Sequence, residues 1–264
     1  MERHYHTTFL TSDLRPVIAT CGGTTVGRRI LASCLVLDQS KNRWDERSMG
    51  DLTMGRYFHA AATLNSLGVY NIGGGTAINQ WTSNFLPAQS MQWQEGPVLP
   101  VGMSAPCAVT ISPTSFLVIY DYDIREFDAD IAGPISIEGW RDERRWPKLE
   151  TRRKKPGCAK IGQKVIIAGG YYPGDLRSTE VLDLDSHVLS AGEDMGSPRS
   201  WFHLATIRRG GVEKVFAVAG SSYLNTVEVW LDENATWEKA DSFLAKRREE
   251  IGAVAVPEEL ICSA

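Results

Sequence analysis

The side chains best equipped for chemistry in this chain are five histidines, five cysteines and a series of glycine pairs that close short apolar runs. The glycine pairs raise the question of phosphate binding, as in "KVIIAGGYYPGDLRSTEVLDLD", residues 164–185. A phosphate loop of that kind needs the N–H groups of a helix N-terminus, and no GxxxxGK[ST] or GxGxxG stands before a helical pattern. The pairs therefore read as turns between strands, where glycine supplies positive φ or close backbone approach. His4 and His6 fall on an N-terminal arm, His59 and His203 read as equivalent early positions on two first strands, and His187 lies in a turn. They are expected to be structural hydrogen bonders, with no metal site. Cys21, Cys34, Cys107, Cys158 and Cys262 show no CxxC spacing, and the expectation is reduced, mostly buried thiols. No nucleophile elbow, HExxH or Ser/His/Asp arrangement appears. Glu249-Glu250 and Glu258-Glu259 read as solvated charges. No catalysis and no cofactor are expected.

Composition narrows the class further. The 264 residues are 43% hydrophobic and 23% charged, ordinary globular material. A net charge of -4 gives no electrostatic footprint for nucleic acid. The start, "MERHYHTTFLTSD", lacks the apolar stretch of about 7 to 15 residues that a secretory signal requires. No apolar run approaches the roughly 18 residues of a membrane span. The expectation is a cytoplasmic protein without membrane contact. Asn234-Ala235-Thr236 matches a glycosylation acceptor, a pattern that matters only in a secreted chain.

The glycine marker recurs. It stands at Gly22-Gly23 in "VIATCGG", Gly73-Gly74 in "VYNIGGG", Gly169-Gly170 in the stretch above and, as a single Gly220, in "VFAVAGS". First glycines at 22, 73, 169 and 220 lie 51, 96 and 51 residues apart, so one marker is missing from the middle gap. "SFLVIYDYD", residues 115–123, fills it, with Tyr120-Asp121 in the glycine position. Downstream of the marker comes a tryptophan, Trp44, Trp93, Trp140 or Trp237, with Leu189 in the fourth copy. An arginine follows at Arg56, Arg152, Arg199 and Arg247, with Met103 in the second copy. Each period then holds four short strands and no room for a substantial helix. Several such sheets stacked around an axis bury both faces of each, which is a β-propeller.

These markers together resemble the kelch repeat, a family with a period of about 50 residues. The resemblance spans residues 16–256 and departs most in the third copy, without glycines, and the fourth, without tryptophan. It implies an all-β fold of five four-stranded blades, with residues 1–15 as an arm and 16–264 as the propeller. In kelch proteins the last segment commonly completes the first blade, so residues 251–256 are expected to close the ring. Six blades with one incomplete is the alternative. "HTTFL" could be an added strand.

The resemblance also sets expectations for function. Copper-using kelch enzymes need paired His and Tyr ligands, and no such set matches here. The repeated arginines are expected to be structural. Contact with a partner is expected from the non-repeated Arg28, Arg29, Arg153, Arg177 and Arg248 and from Tyr171, Tyr172, Trp201 and Tyr223, all placed on one loop rim. The expected role is a non-catalytic protein-interaction module binding an acidic or polar peptide segment. The kelch-like adaptors of cullin ubiquitin ligases are similar but carry BTB and BACK domains, which these residues do not contain. A kelch-type enzyme acting on a sugar or other small molecule and an actin-associated scaffold are the alternatives, since fold alone does not choose.

Overall fold

The computed structural model describes residues 3–11, 16–46, 48–221, 224–232, 234–244 and 255. They form five antiparallel sheets arranged as a β-propeller, each built in chain order from the axis outward. Blade 1 holds β1 (Thr7–Leu10), β2 (Ile18–Cys21), β3 (Cys34–Asp38) and β4 (Arg43–Asp45). Blade 2 holds β5 (Ala60–Leu64), β6 (Gly68–Ile72), β7 (Ser83–Pro87) and β8 (Gln94–Glu95). In blade 3, β9 (Cys107–Thr110), β10 (Ser115–Tyr120) and β11 (Asp123–Asp128) are followed by a short helix, α1 (Ala129–Ala132). The fourth position of that blade is reduced to a single bridge between Phe127 and Trp140. Blade 4 is β12 (Gly157–Ile161), β13 (Lys164–Ala168), β14 (Thr179–Asp183) and β15 (Leu189–Gly192). Blade 5 is β16 (His203–Arg209), β17 (Val212–Val218), β18 (Thr226–Leu231) and β19 (Thr236–Phe243).

Stacking explains the apolar runs. A second strand is central in its sheet and covered on both faces by neighbouring blades, so β6 and β10 are buried along their whole length instead of alternating. Among the described residues, four inter-blade cores carry this burial. The one between blades 2 and 3 joins Tyr70, Ile72 and Phe85 to Phe116, Val118 and Phe127. Three of the repeated tryptophans also pack between blades. Trp93 meets Phe9 edge-on at 5.8 Å, Trp140 donates its indole N–H to Val98 O at 3.0 Å, and Trp237 donates to Thr179 Oγ1 at 3.0 Å. Trp44, in contrast, remains 44% exposed.

The glycine pairs are turns whose φ values are positive and whose surroundings leave no space for a side chain. A Cβ on Gly22, Gly73 or Gly169 would stand 2.5, 2.4 or 2.4 Å from the backbone oxygen of Arg56, Met103 or Arg199 in the next blade. In blade 5 the first slot belongs to Ala219, not Gly220. Its N–H reaches Thr226 O as those of Gly22, Gly73 and Gly169 reach Ser33, Thr82 and Ser178. In blade 3 the loop is absent, because Tyr120 pairs directly with Asp123 in a tight hairpin.

Two expectations need correction, and a third falls outside the described residues. The innermost strand of blade 1 is β1, paired with β2 from Thr7–Cys21 to Leu10–Ile18, so residues 7–10 belong to the propeller and not to an arm. The segment 251–256 expected in that place lies, apart from Ala255, outside the described residues. The four cysteines among the described residues are not reduced thiols: Cys21 is bonded to Cys34 and Cys107 to Cys158, while Cys262 lies outside the described residues. Sequence separations of 13 and 51 residues gave no motif, but cross-strand and inter-blade pairing bring each pair together.

Candidate interaction face

Because strands alternate in direction, the loops between second and third strands open on the same face as the connections from one blade to the next. We call this the loop face; the hairpin tips form the opposite, turn face. The arginine before each first strand braces the loop face from inside. Arg56 Nη1 donates to Gly73 O at 2.8 Å and Thr82 O at 3.0 Å, and Arg153 Nη1 donates to Gly169 O at 2.7 Å and Ser178 O at 2.8 Å. Arg199 makes the same contacts to Ala219 and Thr226, and Arg3 to Gly22 and Ser33. The carbonyls of Gly22, Gly73, Gly169 and Ala219 thereby gain a donor, and those of Ser33, Thr82, Ser178 and Thr226, each already bonded to the N–H of that slot, gain a second. Met103 fills the slot in blade 3, whose loop is missing, so there are no loop carbonyls for an arginine to bind.

This frame reverses two assignments. The repeated arginine of blade 4 is Arg153, fully buried and paired with Glu180 at 3.0 Å, so it is not available to a partner. Arg152 is the surface residue of the two. Its Nε and Nη2 donate to Asp121 Oδ1 and Oδ2 at 2.7 and 3.0 Å, and its guanidinium lies 4.5 Å from the Tyr172 ring centroid. Arg199 has a matching carboxylate in Glu228 at 2.7 Å. Arg56 has none, and burial pushes its pKa down to about 10.

Two residues beyond each arginine slot stands a residue in left-handed conformation: Tyr5, Phe58, Ala105, Lys155 and Trp201, with φ between 53° and 58°. A chain of backbone bonds joins them around the axis, Phe58 N to Tyr5 O at 3.2 Å, Ala105 N to Phe58 O at 3.1 Å and Lys155 N to Ala105 O at 3.1 Å. Their side chains converge on the axis. Tyr5 and Phe58 rings are 4.2 Å apart, Phe58 and Trp201 4.3 Å, and Tyr5 and Trp201 5.0 Å, with Tyr57 against Phe58 at 4.6 Å. Lys155 Nζ lies over Trp201 and 5.0 Å from the Phe58 centroid. These rings close the loop-face end of an axial cavity of about 870 Å³.

Among the described residues that line this cavity no carboxylate occurs, whereas Lys155, Lys160, His6, His59 and His203 do. Burial lowers the pKa of His203 to about 4. Burial, with Arg3 nearby, lowers that of His6 to about 4, and burial with Arg56 and His6 holds His59 well below its ordinary value. All three are neutral at neutral pH. His59 and His203 are not equivalent positions. His59 follows Phe58 directly and matches Phe202, while His203 is the next residue on, inside β16. No group of three His, Cys, Asp or Glu side chains among the described residues is arranged to hold a metal ion.

The other contact candidates lie farther from the axis on the loop face. Arg28 and Arg29 are exposed beside Val26, which is 73% exposed. Tyr171 and Tyr172 are 46% and 45% exposed, and Trp81 of the blade 2 loop is 48% exposed. Arg177 is exposed and pairs with Asp194 at 3.0 Å. Asp175 ties the same loop to blade 5 by accepting from Ser200 Oγ at 2.7 Å and Ser221 Oγ at 2.6 Å. Trp201 joins the axial ring cluster. Tyr223, Arg247 and Arg248 lie outside the described residues. Tyr5, Phe58 and Lys155 are additions that the sequence reading missed. Aligning the blades on Arg153 instead of Arg152 would have placed Lys155 opposite Phe58 and Trp201.

No helix among the described residues is long and apolar enough to cross a membrane. No protein-family model matches the chain, and no curated protein matches it.

Proposed function

We propose that this propeller is a non-catalytic protein-interaction module, and that its partner docks on the loop face with an acidic or polar peptide segment over the axis. The observation that carries this is the convergence of Tyr5, Phe58, Trp201 and Lys155 from four different blades on one half-buried cluster. Aromatic residues held rigidly on a scaffold provide large contact area with little ordering cost, and interface energy concentrates in Trp, Tyr and Arg. Exposed Tyr171, Tyr172 and Trp81 extend that surface outward. Arg28, Arg29 and Lys154, exposed on the same face, supply the charge that suits an acidic segment.

The kelch resemblance adds a wider context. It makes substrate recognition for a cullin-type ligase, or association with actin, the assemblies to look for, and the identity of the captured partner decides between them. Quantitative affinity purification from native cells tests the module itself. The double variant Tyr171→Ser, Tyr172→Ser should lose at least tenfold of its specific partner, while Val212→Ser on the turn face should retain it. Equal recovery with both variants would overturn the assignment of the face.

A further inference from the structure

Two features that the loop-face reading leaves unused point to one covalent modification. The first is the acceptor triplet Asn234-Ala235-Thr236. It occupies the turn between β18 and β19, where Asn234 is exposed, its N–H donates to Leu231 O at 3.3 Å, and Thr236 opens β19 opposite Leu231. This hairpin tip belongs to the two outer strands of blade 5 and lies on the turn face. A branched sugar on the Asn234 side chain would project into solvent, away from the inter-blade cores and away from the loop face. No other Asn-x-Ser/Thr triplet with a permitted middle residue occurs in the sequence.

The second feature is the pairing of four cysteines. Cys21 and Cys34 stand opposite each other on β2 and β3 of blade 1. Cys107 and Cys158 join the innermost strands of blades 3 and 4. Two disulfides in one chain belong to an oxidising compartment, since cytosolic thiols are kept reduced. An acceptor triplet carries meaning only in such a compartment, where N-linked sugars are attached.

We propose that this protein folds in an oxidising, glycosylating compartment and carries an N-linked glycan on Asn234. In that transfer the side-chain amide nitrogen of Asn234 forms a bond to the anomeric carbon of an oligosaccharide carried on a lipid pyrophosphate. The anomeric C–O bond breaks, the lipid pyrophosphate leaves with the bonding pair, and the amide gives up one proton. Each disulfide forms as two thiols lose two protons and two electrons to a disulfide-bearing oxidant of the same compartment.

The protein isolated from its own cells under thiol-blocking conditions tests this. Free thiols are alkylated first, the sample is treated with peptide N-glycanase in ¹⁸O water, and tryptic peptides are mapped. The expected result is conversion of Asn234 to ¹⁸O-labelled aspartate in the peptide spanning 215–239, with Asn225 of the same peptide unchanged as internal control. Cys21, Cys34, Cys107 and Cys158 should escape the alkylating reagent until reduction. An unmodified Asn234, or alkylation of these four cysteines before reduction, would overturn the proposal. In the full chain expressed in the same cells, Thr236→Ala should abolish the glycanase-sensitive mobility shift; persistence of that shift would equally overturn it. Partner binding on the loop face is a separate readout, but the compartment is not: a glycosylated, disulfide-bonded chain excludes the cytosolic cullin and actin assemblies and leaves the interaction module with a partner of the same oxidising compartment.

Discussion

The ammonium group of Lys155 lies over the indole of Trp201, and the two residues fill the same slot of successive blades. Their shared left-handed backbone turns both side chains toward the axis, where Phe58 and Tyr5 complete the cluster. A cation held over aromatic faces contributes about 0.5–2 kcal/mol depending on desolvation. Lys155→Ala should therefore lower the unfolding free energy by about that amount, measured by urea denaturation. No loss would mean that the lysine is a bystander in the cluster.

Arg153 and Arg152 should separate cleanly. Arg153→Ala leaves Glu180 buried without its cation and removes the donor of Gly169 O, so a loss of about 3–5 kcal/mol is expected. Arg152→Ala breaks a partly exposed, solvent-screened pair with Asp121 and should cost far less. Equilibrium unfolding of the two variants side by side checks the order. The double change Arg153→Met, Glu180→Met should recover part of the loss, because it removes both charges at once.

Gly169 and Gly174 lie in the same region of blade 4 and should respond differently to alanine. A Cβ at Gly169 meets Arg199 O at 2.4 Å with φ at +60°, whereas nothing lies within 4 Å of Gly174. Gly169→Ala should cost about 1–3 kcal/mol, and Gly174→Ala should be near neutral. Thermal unfolding reports both.

Stability should fall in mild acid. His6 and His203 have pKa values lowered to about 4 in the folded chain, below the ordinary value of 6.5. The unfolded chain then binds more protons than the folded one between those limits. Stability is complete above pH 6.5 and declines as pH falls toward 4. Urea midpoints across that range should show the decline, and His203→Gln should make it shallower. An unchanged slope in the variant would remove His203 from the explanation.

Much of this molecule is legible in its sequence because the repeat is enforced by packing. Gly73, Trp93 and Met103 recur or fail in step with the loops they serve, so their spacing announces the blades. Blade 3 shows the rule by breaking it: where the loop is gone, Met103 replaces arginine and Tyr120-Asp121 replaces glycine. What escaped depends on single-residue register. Arg152 and Arg153 are adjacent and chemically identical, and only the buried Glu180 tells which one is braced inside. That slip of one residue hid Lys155 and with it the axial cluster. The pairing of Cys107 with Cys158 was equally hidden, since it depends on two innermost strands meeting across a blade boundary.

A partner docked on the loop face leaves its footprint on the backbone amides beneath it. Amide hydrogen exchange of the protein, free and saturated with its captured partner, tests this most directly. Slowed exchange is expected at residues 171–177 and around Phe58 and Trp201, with the hairpin tips at 186–188 and 209–212 unchanged. Protection confined to those tips, with the loop face exchanging as in the free protein, would contradict it.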